Sequence, residues 1–550
     1  VYIITMRILI IGAVAAGTSA AAKARRNSED AEIVVYERDR FISYSACGMP
    51  YFLGGDVAHI EDLTPRDPAF FMTKYRVDVR IRHEVLSINP ENKTLTVKNL
   101  ETGVIFDDKW DRLILATGAS ALKLPIPGAD GEGVFTIRNI NDMIRINKWI
   151  DDNKPENAVI VGTGFIGLEV CENLVKRGIK VTLVEKLDQV TPGLDPDIAI
   201  PVRHHQEKNG ATVLTGAAVT GVDNRTVSLA DGTKIPSGLT LLAAGVRPET
   251  TLAKSAGIAL GVAGAIKTTA RMETSIPGIY ACGDCVEHTH IVTGKPVWRP
   301  LGSTANKTGR IAGDVVTGGT LEYRGTLGTG IFAVFGLAVA QTGLSDRDAR
   351  EAGYDAVVCH NIKPDRPEYF GGKEMIIKGI ADRASGRMLG AQVIGEQGVD
   401  KRIDVLATAI TFGAKAEDLF HLDLAYAPPF STTKDPVMYT GMILDNAIAR
   451  GRSLITASAL DALAATGEPI AVIDARVVKQ YAQAHIPNAE NLPHETIREN
   501  LDTLYKNASI ITYCNKGPSG NAAHNILLNK GFGKVLNLSG GFKQYKSTQS

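Results

Sequence analysis

The stretch Ala158-Val159-Ile160-Val161-Gly162-Thr163-Gly164-Phe165-Ile166-Gly167 decides the fold. An apolar run ends at Val161 and meets a turn with glycines at 162, 164 and 167; the helix-like Leu168–Arg177 and a second apolar run, Lys180–Val184, follow. Strand, tight turn, helix and strand make a βαβ unit. Gly162 permits the tight turn, Gly164 lets a pyrophosphate approach the backbone, and Gly167 lets helix and strand pack closely. Free N–H groups and the helix dipole then face the phosphates. Glu185 ends the second strand, where a carboxylate pairs with ribose hydroxyls and repels a 2′-phosphate, so NADH is expected over NADPH.

Working outward, the same pattern stands near the start of the chain: Arg7–Ile11, the loop Gly12-Ala13-Val14-Ala15-Ala16-Gly17, the Ala-rich Thr18–Arg26, then Ile33–Tyr36. Val14 replaces the middle glycine, and Glu37, 20 residues after Gly17, is placed to bind a ribose. Alone, this segment reads equally as an ordinary βαβ turn with a surface glutamate. Two such units in one chain point to dinucleotide binding at both. From 325 to 450 the alternation changes to short strands (Met375–Ile380, Leu389–Ile394), a helix (Lys401–Phe412) and the turn-rich Tyr426–Asp435, an α+β pattern. After Gly451 a new βα series begins: Ala471–Asp474, Val477–Ala484, Ile510–Tyr513, Asn521–Lys530 and Val535–Leu538. With no low-complexity linker before it, this last domain is expected to dock on the body.

Bulk composition agrees. A chain of 550 residues, 44% hydrophobic, is expected to form several cores. Its 60 basic and 60 acidic residues cancel, which leaves no footprint for nucleic acid or an anionic membrane. Six cysteines without framework spacing indicate a reducing cytoplasm. No apolar run approaches the ~18–20 residues that span a bilayer. Val1–Thr5 is too short for a signal peptide, and Met6 is expected to be the biological start.

Leu115-Ala-Thr-Gly-Ala119, Gly162–Gly167 and Tyr280-Ala-Cys-Gly-Asp284 occur in the order of the two-dinucleotide-binding flavoprotein reductases, which the chain resembles from Arg7 to about Arg450. The resemblance implies FAD at Gly12, Ala13, Val14, Ala15, Ala16, Gly17, Glu37, Arg38, Thr117, Gly118, Gly283 and Asp284. It implies NADH at Gly162, Gly164, Phe165, Ile166, Gly167, Glu185 and Gly245, the last opening the segment that returns the chain to the FAD domain. Cys282 and Cys285 form a CxxC inside the flavin-contacting motif, with no second pair nearby, so a structural role is expected and no metal.

Ser43-Tyr-Ser-Ala-Cys47-Gly-Met-Pro-Tyr51 follows Glu37. Disulfide reductases of this superfamily carry two cysteines here; this chain has only Cys47. It must therefore cycle through a mixed disulfide, persulfide or sulfenic acid, and an adjacent flavin and loop N–H groups are expected to lower its pKa. Single-cysteine peroxidases and oxidases of this type carry a histidine where Ala15 stands. The chain instead resembles coenzyme A disulfide reductases, which implies coenzyme A at Ser19, Lys23, Arg26, Ser43, Cys47, Lys74, Asn306 and Lys434. One departure is Ala46, where that family commonly has asparagine. The same resemblance implies a homodimer in which Tyr369 and Tyr426 of one subunit reach the cysteine of the other, as proton donors or as interface packing.

In the C-terminal segment, Val472-Ile-Asp-Ala-Arg476, Ala484-His-Ile-Pro-Asn-Ala489 and Leu538-Ser-Gly-Gly541 resemble rhodanese signatures. Between them Cys514 opens a loop, Asn515, Lys516, Gly517, Pro518, Ser519 and Gly520, that is expected to curl N–H groups around the sulfur at a helix N-terminus. Such loops usually contain arginine; here Lys516 is the only cation.

The expected fold is α/β: two Rossmann-like dinucleotide-binding domains, FAD (1–115 and 243–324) and NAD (116–242), an α+β dimerisation domain (325–450) and a C-terminal α/β rhodanese-like domain (451–550). The expected activity is reduction of coenzyme A persulfide or polysulfide by NADH through FAD and Cys47, with Cys514 delivering sulfur. The alternatives are a coenzyme A disulfide reductase with an accessory rhodanese domain, or a redox-sensing or sulfur-carrier flavoprotein.

Overall fold

The computed structural model describes residues 6–223, 225–504 and 508–549; the expectation for Val1–Thr5 falls outside them. The chain divides into two compact units, one of residues up to 188 with 210–328, the other of 189–209 with 329–550.

In the first unit, a parallel sheet runs Ile279–Ala281, Arg112–Leu115, Arg7–Ile11, Glu32–Tyr36, Asp78–Arg80. Its central strands are apolar on both faces, with Ile8, Leu9, Ile10, Val34 and Ile114 all buried, as a sheet covered on both sides requires. The first helix spans Ala15–Asn27, three residues longer at its start than the sequence reading, because the loop residues Ala15, Ala16 and Gly17 already form its first turn. Helix Gly302–Val315 packs against it through small residues: a Cβ on Gly309 would lie 2.3 Å from the Ala16 carbonyl oxygen. The second parallel sheet runs Thr212–Leu214, Lys180–Val184, Asn157–Val161, Leu239–Leu242, Val134–Phe135, with helix Phe165–Lys176 after the second glycine turn.

In the second unit, an antiparallel sheet runs Gly330–Val334, Leu337–Gly343, Met388–Gly395, Glu374–Asp382, Ala356–Pro364. Its strands exceed the short segments expected from sequence. Met388–Gly395 is buried throughout, so it lacks the polar alternation that marks strand ends. Helices Val399–Thr411 and Pro436–Ala449 cover the sheet, the latter capped by the Asp435 side chain. The C-terminal parallel sheet runs Leu454–Ile455, Val535–Leu538, Ser509–Tyr513, Ile470–Asp474, Glu490–Asn491.

A buried polar junction ties three parts of this unit together. Asp197, in helix Pro196–Lys208, accepts from His360 Nε2 at 2.7 Å and from Lys378 Nζ at 2.8 Å; Asp195 pairs with the same lysine at 3.0 Å. The His360 backbone N–H donates to Ser539 Oγ at 2.6 Å, and Gln544 Nε2 donates to the Asp197 carbonyl at 2.9 Å. Sheet, helix and C-terminal domain thus share one set of charges.

Candidate active sites

The two glycine loops are built alike. Gly12 and Gly162 have φ of +102° and +104°, and a Cβ on either would strike the Ala116 or Ala243 carbonyl oxygen at 2.3 or 2.5 Å. Glu37 accepts from the N–H groups of Ala13 (2.9 Å) and Asp39 (2.9 Å); Glu185 accepts from those of Thr163 (3.0 Å) and Leu187 (3.0 Å). Each carboxylate is therefore pinned against its own loop. Neither following helix has a side-chain cap, so its first N–H groups remain available to an anion. A Cβ at Gly164 would meet open space. This donor set fits two dinucleotide pyrophosphates. Burial raises Glu37 above the usual carboxylate range.

Thr117 Oγ1 donates to the Glu249 carbonyl at 2.6 Å, Gly118 has φ +72°, and Gly245 has φ +112°. Gly283 (φ +83°) lies against Ala16, and its N–H donates to Thr308 Oγ1 at 3.0 Å. Asp284 pairs with Arg138 at 2.9 Å. Arg38 is exposed beside Glu37, and Ile166 is exposed at the start of its helix next to Phe165. Cys282 and Cys285 are fully buried, both thiols are pushed up by desolvation, and Cys285 Sγ donates to the Cys282 carbonyl.

Cys47 sits in the helical turn Ala46–Gly48. The residue is exposed, yet its thiol is desolvated by neighbours. That desolvation, then the Glu169 and Asp284 carboxylates, push the thiol up, while Arg138 acts the other way. Of the protein's own charges that act on this thiol, two are negative and one is positive, so the lowering expected from an adjacent flavin and loop N–H groups belongs to the flavin-loaded site. Glu169, on helix Phe165–Lys176, accepts from Tyr51 Oη at 3.3 Å, and burial raises it to about 7. Sequence reasoning passed over Glu169 and Arg138, because they act on Cys47 only through the tertiary fold, and gave no role to Tyr51 although it closes the same motif.

A cavity of about 450 Å³ opens beside this loop, lined by Ser43 and Tyr44. Ser19 and Asn306, hydrogen-bonded to each other at 2.7 Å, form one wall, and Arg26, Arg66 and Arg310 supply its cations. Arg66 and Arg310 stand in no local motif and were missed. Ser43 holds φ +48°, a strained conformation for a residue with a side chain. Two predicted cations stand differently: Lys23 pairs with Asp314 at 3.0 Å, and Lys74 lies over the Phe70 and Tyr75 rings.

In the second unit, Cys514 directly follows strand Ser509–Tyr513 and precedes helix Pro518–Asn529. It is 5% exposed, and its Sγ accepts the Gly517 N–H at 3.2 Å, Gly517 having φ +115°. Its carbonyl accepts the Phe542 N–H at 2.8 Å, an approach that Gly541 permits: a Cβ there would lie 2.3 Å from that oxygen. Asn515 is exposed, while Gly520, within the helix's first turn, is buried against Tyr513. Ser519 stands in the same first turn. The buried ion pair Asp474–Arg476, 2.6 Å, braces the neighbouring strand end. Lys516 is held by Glu374 of the antiparallel sheet. Tyr369 and Tyr426 are exposed in this unit, 75% and 47%, and Lys434 is also at its surface.

Comparison with known proteins follows this geometry. The pyridine nucleotide-disulphide oxidoreductase family model matches residues 6–306, its dimerisation domain 330–436, and the rhodanese-like domain 456–548. The chain belongs to the pyridine nucleotide-disulphide oxidoreductase family, with a C-terminal rhodanese-like domain. It is 35% identical, over 80% of its length and 99% of the relative's, to a CoA-dependent NAD(P)H sulfur oxidoreductase of Pyrococcus furiosus. It is 32% identical, over 79% of its length and 98% of the relative's, to a coenzyme A disulfide reductase of Staphylococcus haemolyticus. Among solved structures it resembles reduced Bacillus anthracis CoADR-RHD (TM-score 0.96, 37% identity, 99% of this chain and 98% of that one). It also resembles an NAD-dependent persulfide reductase from A. fulgidus (TM-score 0.90, 34% identity, 98% and 100%).

Proposed function

We propose that the chain is an NADH- and FAD-dependent reductase of coenzyme A persulfide and polysulfide that works through Cys47, with Cys514 as the acceptor and donor of sulfane sulfur. The observation that carries this reading is the arginine-lined cavity reaching the Cys47 loop at Ser43 and Tyr44. Three guanidinium groups suit the phosphates of coenzyme A, whose thiol end is then directed to the cysteine. The relatives named for coenzyme A-dependent sulfur reduction support the same substrate class.

The Cys47 thiolate attacks the coenzyme A-bound sulfur of the persulfide, forming a mixed disulfide as hydrosulfide leaves. When bound, the flavin supplies the two-electron relay from nicotinamide to sulfur. The uncapped loops at Gly12–Gly17 and Gly162–Gly167 hold the two dinucleotides, and Glu37 and Glu185 orient their riboses. Tyr369 and Tyr426 of a partner subunit donate protons to departing thiolates. Exposed aromatics on the second unit, Tyr369, Phe370, Phe412, Tyr426 and Phe430, support a homodimer.

Among the described residues no helix is long and apolar enough to cross a membrane. Six free cysteines in a nucleotide-dependent enzyme support a cytoplasmic location. The domain limits we assign are 1–115 with 243–324 for FAD, 116–242 for NAD, 325–450 for dimerisation and 451–550 for the rhodanese-like part. A second reading, reduction of coenzyme A disulfide, is favoured by the Staphylococcus relative. Steady-state NADH oxidation with coenzyme A persulfide, polysulfide and coenzyme A disulfide side by side tests the choice. The persulfide should give the highest kcat/KM; a clear preference for the disulfide overturns it.

A further inference from the structure

Rhodanese-type chemistry needs a donor delivered to a cysteine that is nearly closed off, and at Cys514 part of the surrounding charge comes from outside the C-terminal domain. Lys363, at the end of strand Ala356–Pro364, has its Nζ 4.2 Å from the Tyr439 ring centre; Lys434 Nζ lies 5.8 Å from the same ring. Lys516 of the cysteine loop and Lys543 of helix Gly541–Ser547 share a single carboxylate, Glu374. Among the described residues no ion pair holds Lys363 or Lys434. Pro364, the neighbour of Lys363, pairs in register with Glu374, so the end of this strand lies beside the carboxylate that holds the cysteine loop.

Lys363 registers this crowding. Burial pushes its ammonium down, Lys516 and Lys434 push it further, and the Cys514 sulfur opposes them. Lys363 and Lys516 are part-buried while Lys434 and Lys543 are exposed, so the excess positive charge is partly desolvated at the first two. A part-desolvated cationic cluster beside a nucleophile is stabilised when an anion enters.

We propose that Lys363 and Lys434, both outside the C-terminal domain, form with Lys516 the mouth of Cys514 and bind dianionic donors of sulfane sulfur there. The proposal rests on the reading of Cys514 as a sulfur acceptor. The ligand chemistry is a compact dianionic group, found in thiosulfate and in the phosphates of coenzyme A persulfide. With thiosulfate, the Cys514 thiolate attacks the outer sulfur, a Cys–S bond forms, the donor S–S bond breaks, and sulfite leaves with the electron pair. With coenzyme A persulfide the leaving group is the coenzyme A thiolate. Neither transfer has net oxidation, and neither needs NADH.

The test uses the full-length holoenzyme in a Cys47→Ser background without NADH, following the gain of one sulfur atom at Cys514 by intact mass. Lys363→Gln should slow loading from thiosulfate by about fivefold or more, Lys363→Arg should restore it, and added salt should narrow the difference. Alkylation of Cys514 by iodoacetamide should change by less than about twofold, because an uncharged reagent is not drawn in by the cation. Slowing of thiosulfate alone assigns the mouth to inorganic donors, slowing of coenzyme A persulfide alone to phosphates, and slowing of both to a shared anion site. Equal slowing of thiosulfate and iodoacetamide overturns the proposal, since Lys363 would then act only on the thiol. Unchanged thiosulfate and persulfide loading also overturns it. A wild-type Cys514 that takes sulfur from no donor contradicts the sulfur-acceptor reading itself.

Discussion

Tyr51 donates its phenol O–H to the Glu169 carboxylate at 3.3 Å; Glu169 pushes the Cys47 thiol up, and Cys47 in turn pushes up the Tyr51 phenol. Tyr51 arrives from the helix Met49–Gly54 and Glu169 from the helix after the second glycine turn, so two separate stretches of chain meet near one cysteine. Glu169 is raised to about 7 by burial, above the ordinary carboxylate range.

Above pH 7 Glu169 is ionised and holds Cys47 up; below it the carboxyl is neutral and that repulsion is gone. Glu169→Gln should therefore speed iodoacetamide alkylation of Cys47 at pH 8 by about two- to fivefold, with little effect at pH 6. Mass-resolved alkylation rates check this. Equal rates at both pH values would remove Glu169 from the account.

Glu185 is 7% exposed and bound to Thr163 through both its N–H and hydroxyl. Glu185→Ala should lower the NADH-over-NADPH ratio of kcat/KM by about tenfold, by removing the carboxylate that repels a 2′-phosphate. Wild-type enzyme that uses both nucleotides equally would contradict this role.

Arg66 and Arg310 line the cavity beside Cys47. Replacing either with Gln should raise KM for coenzyme A persulfide about five- to twentyfold, the cost of one charge-assisted phosphate contact, and leave inorganic polysulfide little affected. Steady-state kinetics with the two substrates in parallel decide it. Equal losses on both would mean the arginines support the fold and do not read phosphate.

Much of this was legible in the sequence. Three glycines at 162, 164 and 167 impose a local geometry, so the βαβ units announce themselves without tertiary knowledge. Cys514 and its Gly/Pro-rich loop are equally local. What escaped is long-range. Helix Pro196–Lys208 groups with the antiparallel sheet because Asp197 meets His360 and Lys378, more than 160 residues away, and no periodicity encodes that pairing. The resemblance marks Lys23 as a coenzyme A contact, but its ion pair with Asp314, 291 residues away, is invisible in the local pattern. The upward shift of Cys47 comes first from desolvation by its tertiary neighbours and then from the Glu169 and Asp284 carboxylates, none of which the local motif encodes.

The Asp197 junction carries a stability prediction. His360 and Lys378 hold its carboxyl far below the usual range against the opposing effect of burial. A depressed carboxylate stabilises the fold fully above its unfolded pKa, near 3.9, and that contribution is lost as pH falls toward the folded value. Asp197→Asn should cost about 2–4 kcal/mol at pH 7, by leaving Lys378 and His360 under-compensated, and the penalty should shrink on acidification. Denaturant melts of both proteins at pH 7 and pH 3 measure it; a penalty that grows with acid contradicts the assignment.

The central claim is a division of labour in which Cys47 alone consumes NADH and Cys514 only passes sulfur. The most direct test is NADH-linked sulfide release from preformed coenzyme A persulfide by wild type, Cys514→Ser and Cys47→Ser. The account predicts that Cys514→Ser matches wild type while Cys47→Ser releases no sulfide yet still shows flavin bleaching by NADH. A Cys514→Ser enzyme as inactive on the preformed persulfide as Cys47→Ser would contradict it.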